Sequence, residues 1–287
     1  MRIPRHWRFA ERAATGRDGI ERQLKIWGWS FDGIEAASRA AAERLERVVG
    51  RLVRGESLGQ YEYLDVPLRE EVLDVFRASG EESAVITRNR YGAKVLNTAD
   101  VLFADIDFVP PKPAGFFDAI GLLFSARKRQ ERAEESRQAT LRRVGEWAVR
   151  NPGRVFRLYR THAGVRLLFT DRRYDPNSDE TAALLGELGS DPLYIRLTRK
   201  QECFRARLSP KPWRCGCARP PHSFPREGNS AEADHARWLG EYESRISGFS
   251  VCSLLDTPAP PEHDERIEQV IALHDAETGV GTNLPLA

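Results

Sequence analysis

No run of 18 consecutive apolar residues occurs in the sequence, so nothing in it reads as a membrane-spanning helix. The opening stretch MRIPRHWRFAERAATGRD lacks the apolar core of a secretory signal, and a cytoplasmic location is the expectation. Cysteine is scarce, with four in 287 residues. Such a count does not make a disulfide framework, and reduced thiols are expected. Signature loops are missing too. There is no Walker loop, no Gly-x-Ser-x-Gly elbow and no His-Glu-x-x-His, which leaves P-loop ATPase, α/β-hydrolase and zincin chemistry without support. No internal repeat is visible, and no disorder-like composition dominates.

What is present suits a globular protein: 41% of the residues are hydrophobic and the net charge is +2. The charges are unevenly spread. Arg and Lys crowd the segments Arg127 to Arg173 and Arg196 to Arg219, whereas the final stretch is mostly acidic. A basic excess of this kind serves solubility or a polyanionic partner, a nucleotide or nucleic acid.

Periodicity places the elements. The first thirty residues read as irregular and basic, with aromatic islands at Trp7, Phe9, Trp27 and Trp29 that either stack on bases or pin the terminus to the core. Helices are expected over 32–52 and 67–78, the latter from Leu68, Val72, Leu73, Val75 and Phe76. A hairpin over 84–96 follows, with Arg88 and Arg90 in its turn, and then a strand over 101–108. The charged run Ala126 to Arg142 reads as an exposed helix reaching Asn151. Beyond it come a hairpin over 155–170, a helix over 178–188, a hairpin over 193–197 and 203–208, and a loop over 210–225. A helix over 231–246, a short strand over 251–255 and a closing helix over 262–275 complete the chain. This order predicts an α+β fold, an antiparallel sheet covered by helices. Its parts are a helical N-terminal region over 1–79, a palm-like core over 80–215 with a charged excursion over 112–150, and a loop and helical region over 216–287, all in one compact unit.

The most informative stretch is Val101-Leu102-Phe103-Ala104-Asp105-Ile106-Asp107-Phe108. In a strand, residues i and i+2 share a face, so Asp105 and Asp107 point together. Two adjacent carboxylates repel unless a cation compensates, which makes a Mg²⁺ or Mn²⁺ site one reading. A strand end whose acids stand in water is the other.

Asp105-Ile106-Asp107 is followed by Arg160-Thr161-His162-Ala163-Gly164-Val165-Arg166 and then by Phe204-Arg205-Ala206-Arg207-Leu208-Ser209-Pro210-Lys211. This succession resembles the archaeo-eukaryotic primase superfamily over about residues 83–215. The resemblance implies an RRM-like palm with an Asp-x-Asp metal strand, a hairpin carrying a histidine, and a later basic strand. It implies divalent ions on Asp105 and Asp107, with Asp191 as the candidate third acid. It also implies nucleotide phosphates on Arg160, His162, Arg166, Arg205, Arg207 and Lys211, and, if the protein is an enzyme, metal-dependent nucleotidyl or phosphoryl transfer. The chain departs from the family pattern in having Arg166 where a histidine is expected and His162 displaced.

Apart from the resemblance, a triphosphate needs carboxylate-held metal and basic side chains on its oxygens, and alternation puts Arg205 and Arg207 on one face. Internal salt bridges to the aspartates are the alternative for these arginines. They would fit a non-catalytic interaction protein with an Arg-rich partner surface. Cys203, Cys215, Cys217 and His222 have ligand chemistry, but Cys-x-Cys is not the usual zinc knuckle, and unligated thiols are favoured over zinc.

Overall fold

The computed structural model describes residues 1–56, 67–109, 125–257 and 264–287. Two strands, β1 (His6–Thr15) and β2 (Glu21–Ser30), pair as an antiparallel hairpin ahead of the helix α1 (Ile34–Arg54). The register sets Trp7 opposite Trp29 and Phe9 opposite Trp27. Their rings meet at 5.7 and 5.3 Å, cross-strand pairs of the kind that hold a sheet together. The alternate positions face α1. A Cβ on Gly28 would lie 2.1 Å from the Ala41 nitrogen and 2.6 Å from the Ala37 carbonyl oxygen, so only glycine permits this approach. On its side α1 buries Ala37, Ala41, Leu45, Val48 and Leu52, a stripe at helical spacing.

The remaining elements are, in chain order, β3 (Glu71–Ala78), β4 (Glu81–Arg88), β5 (Lys94–Thr98), β6 (Phe103–Asp107), α2 (Ala126–Arg150), β7 (Phe156–Thr161), β8 (Gly164–Phe169), α3 (Asp179–Leu188), α4 (Pro192–Gln201), β9 (Phe204–Arg207), α5 (Gly228–Ile246), β10 (Cys252–Asp256) and α6 (Glu265–Thr278). They form two antiparallel four-stranded sheets, ordered β3-β4-β5-β9 and β10-β7-β8-β6. Side chains bridge from one to the other. The Tyr194 hydroxyl on α4 donates to the Phe103 carbonyl of β6 at 2.9 Å and lies 3.4 Å from the Arg205 nitrogen of β9. Arg166 of β8 donates to the Arg207 carbonyl at 2.9 Å. One core serves both sheets: Ile86, Leu96 and Phe204 from the first meet Ile106, Leu167 and Phe169 from the second, roofed by Trp147 of α2 and Leu185 of α3. The protein is thus an α+β fold whose antiparallel sheets are packed by helices.

The charged helix α2 exposes most of its length and buries Ser136, Thr140, Val144 and Trp147 along one stripe. Trp147 donates its indole N–H to Glu187 of α3 at 3.1 Å.

Three expectations are corrected. The first thirty residues are a regular hairpin, because the period-two spacing of their aromatics outweighs the intervening arginines. Residues 67–78 form no helix. Register shifts at Val72/Asp74 and Phe76/Arg77 interrupt β3, and a bulged strand brings apolar residues to the i, i+3, i+4 spacing of a helix. Residues 193–197 belong to α4, which starts from Pro192 at its first turn and from Asp191, whose carboxylate accepts the Leu193 N–H at 2.8 Å. The region 1–79 therefore holds three strands beside its helix, and β6 crosses into the second sheet instead of extending the β4–β5 hairpin. The apolar patch Phe116 to Phe124 of the expected excursion lies outside the described residues.

Gly28→Ala should lower stability by about 1–3 kcal/mol, since backbone must move to admit the methyl group. Gly145→Ala on α2, where nothing among the described residues lies within 4 Å of the added atom, should raise it by up to about 1 kcal/mol. Urea denaturation midpoints of the two variants check both signs.

Candidate functional site

Strand register brings the predicted pair of charges together. In the β6–β8 ladder Asp105 stands opposite Arg166 and Asp107 opposite Gly164, while Tyr159 of β7 flanks Arg166 on its other side. A Cβ at Gly164 would lie 2.1 Å from the Ile106 carbonyl oxygen, so glycine sets how closely the strands approach beside Asp107.

Arg166 engages Asp105 with both arms, Nε to Oδ1 at 2.7 Å and Nη2 to Oδ2 at 2.9 Å. Its Nη1 reaches the Arg207 carbonyl and, at 3.3 Å, His274 Nε2 on α6. An arginine only donates, so Nε2 is the acceptor and the imidazole proton sits on Nδ1, 3.0 Å from Asp275 Oδ1. Asp275 in turn accepts from Arg157 at 2.7 Å, and Arg157 donates to the Tyr159 hydroxyl at 2.7 Å. A continuous polar network thus runs between β6 and α6, lidded by the Tyr159 and His274 rings at 4.7 Å.

The two halves of the central pair differ in solvent access: Arg166 is 1% exposed and the Asp105 side chain 48%. Desolvation pushes the Asp105 carboxyl up, but the charge and hydrogen bonds of Arg166, helped by Arg207, hold it below its ordinary value. Burial, with Arg166 adding to it, drives His274 down to about 4 against the pull of Asp275, so the ring is neutral near pH 7. Burial raises the Cys252 thiol, 3.7 Å from His274, to about 11.

Next to this pair is a second group of cations. Arg207, Lys211 and Arg214 form no salt bridge among the described residues, and Arg207 Nε and Arg214 Nη1 are buried without partners. Burial and the Arg166 charge lower Arg207 to about 10, although Asp105 opposes this. Lys211 is lowered by burial and then by Arg207 and Arg214, and Arg214 by burial; exposed Asp107 pulls both the other way. The 3-10 turn Pro212–Arg214 turns Trp213 outward at 46% exposure, edge-on to Tyr91 at 5.4 Å. Lys211 and Arg219 lie 5.6 and 5.2 Å from the Trp213 ring, and Arg90 4.7 Å from that of Tyr91. Tyr91, Trp213, Arg214 and Arg219 were not among the residues picked from the sequence. For Trp213 and Arg214 the signal was Lys211-Pro212-Trp213-Arg214, an aromatic interleaved with basic residues.

Asp105, Asp107, Arg166, Arg207 and Lys211 therefore converge, and the other candidates do not. Arg160 shares a face of its sheet with Val165 and Ile106, opposite that of Asp105, and is exposed. His162, in the β7–β8 turn, sits 3.0 Å from the Leu286 carbonyl through Nδ1. Arg205 is committed to Glu70, at 2.8 and 2.9 Å, and Glu70 also accepts from Thr87 at 2.6 Å. Asp191 is the cap of α4.

The donor set does not fit the divalent centre that the primase likeness implies. Both Asp105 oxygens are taken by Arg166, Asp191 is a helix cap, and among the described residues no three His, Cys, Asp or Glu side chains gather where an ion could be held. The thiols of Cys203, Cys215, Cys217 and Cys252 are buried and free. Cys215 lies 3.1 Å from the Pro212 carbonyl, and His222 faces Asp234 at 3.4 Å.

Removing Asp105 and removing Arg166 should not be equivalent. Asp105→Ala strands a guanidinium that cannot discharge and should cost about 3–5 kcal/mol, whereas Arg166→Met leaves a carboxylate that reaches water and should cost less. Urea denaturation of both variants tests the order. The neutral His274 sets a pH dependence. Between its ordinary value of 6.5 and its folded value of about 4, the unfolded chain binds the extra proton, so stability should fall by about 3 kcal/mol as pH drops through that window. His274→Phe should flatten the slope between pH 6.5 and 5. No protein-family model matches this chain, and neither a curated protein nor a solved structure matches it.

Proposed function

We propose that this protein binds single-stranded nucleic acid across the face formed by Arg207, Lys211, Arg214, Trp213 and Tyr91. The observation that carries the proposal is the crowding of Arg207, Lys211 and Arg214, none of them in a salt bridge among the described residues, beside an exposed indole; Arg214 lowers the proton affinity of the other two, and Arg207 that of Lys211. Like charges held together at a protein's expense are relieved by an anion. A phosphate backbone supplies anions at regular spacing, and its bases supply flat faces for Trp213 and Tyr91. The primase-like motifs lead to a related assignment, since Arg207 and Lys211 come from the basic strand and turn to which that likeness gives the phosphates.

The role is binding, not metal-dependent nucleotidyl transfer. The Asp105–Arg166 fork favours this, because the carboxylate that would carry a metal already neutralises a buried arginine. Asp105 acts here through Arg166. It fixes the guanidinium that holds the Arg207 backbone, and so positions the Arg207 side chain.

Trp213→Ala should weaken binding of a single-stranded oligonucleotide by about 1–3 kcal/mol, roughly 5- to 150-fold, with little change in its salt dependence. Lys211→Ala should instead reduce the slope of log K against log salt by about 0.7. Fluorescence anisotropy at several salt concentrations separates the two effects. Binding that neither variant alters would place the interaction elsewhere and sink the proposal.

A further inference from the structure

A cavity of about 610 Å³ opens between the N-terminal hairpin, the β4–β5 turn, the segment 220–226 and α5. It is separate from the cation surface at Arg207, although Arg90 borders both. Its volume suits a small organic molecule rather than a lone ion. Six lysine and arginine side chains line it, among them Arg69, Arg88 and Arg226, against only two carboxylates, Glu70 and Glu71. Both carboxylates are already engaged, Glu70 by Arg205 and Glu71 by Arg226 at 2.7 Å. Acids just outside the wall offset part of this charge: Glu227 pairs with Lys25, Glu232 with Arg226 at 2.6 Å, and Glu243 lies 3.8 Å from Arg88, whereas Arg90 forms no salt bridge among the described residues.

Its unpartnered polar groups are deeply buried. Among the described residues, His235 on α5, 5% exposed, has no hydrogen-bond partner at either ring nitrogen, and Arg88, 7% exposed, has none at Nε. A folded protein rarely leaves such groups unsatisfied unless something else completes them. Aromatic rings also line the wall. Trp27 lies there with the Arg69 guanidinium 4.4 Å from its ring, and Phe224 joins it from the 220–226 segment.

We infer that this cavity is a binding site for a small organic anion with a flat body, about the size of a nucleoside monophosphate. Planar guanidinium groups match carboxylate and phosphate oxygens. The aromatic walls take the flat part, and His235 offers one donor and one acceptor to its polar edge. The inference does not rest on the nucleic-acid reading.

Isothermal titration calorimetry on the full chain tests it with adenosine monophosphate, benzoate and inorganic phosphate as probes. Binding of adenosine monophosphate alone assigns a phosphate-bearing ligand, and binding of benzoate alone a carboxylate; either result supports the site. His235→Phe should lower the affinity about tenfold or more while the melting temperature without ligand stays the same or rises, because two unsatisfied nitrogens are removed. Should His235→Phe not fold, Arg69→Gln carries the same expectation for affinity. Lys211→Ala, on the other surface, should leave the affinity within about twofold. The inference is overturned if neither organic anion binds at millimolar concentration, if inorganic phosphate binds as tightly as they do, or if the wall variants keep full affinity.

Discussion

Arg166 is a charge that cannot be given up, placed where water does not reach. Every group around it is arranged to compensate. Asp105 supplies the opposite charge in a two-armed geometry, the Arg207 carbonyl accepts the third nitrogen, and His274 is kept neutral so that it can accept as well. Removing a guanidinium from water costs several kcal/mol before its partners repay any of it, so the positions of β6, β8, β9 and α6 are tied to one another through this side chain. Its bond to Arg207 also joins the two sheets where their strands do not.

The same electrostatics explains why two arginines on one face of β9 have different fates. Arg205 meets Glu70, brought to it by the segment that leads into β3, and becomes half of a buried ion pair. Arg207, two residues on, feels the Asp105 carboxylate, but that group is already paired with Arg166. Its charge is only partly offset, and Lys211 and Arg214 add to the imbalance. An excess of this kind at a partly open surface is where an anion gains most. The strand that carries the family-like motif thus holds one paired arginine and one whose charge is only partly offset, and composition alone cannot tell them apart.

The N-terminal hairpin has a double part. One face lies on α1 through Gly28, and the other carries Trp27 and Lys25 to the wall of the large cavity. One role for a tryptophan in this hairpin is to anchor it. Trp7 does so, at 2% exposure with its indole N–H on the Pro4 carbonyl at 3.1 Å, whereas Trp27 also holds a cation in place beside open space.

By itself the sequence determined the elements with undisturbed periods. The alternation around Asp105 and Asp107, the hairpin turning near His162 and Gly164, the charged helix with one apolar stripe, and the helix from Ser178 to Gly189 are all local patterns that a short window displays. It misjudged β1 and β2, whose alternating aromatics are interspersed with arginines, β3, whose bulges imitate helical spacing, and α4, whose short apolar run fits either state until its capping aspartate and proline are weighed. Only the tertiary structure decided which charges meet. Asp105 and Arg166 are 61 residues apart in the chain, and Arg205 and Glu70 are 135 apart. Alternation says which face of a strand a side chain occupies, but its partner depends on how distant strands come into register. That register is set by the burial of whole sheet faces, a property no single stretch of this sequence contains.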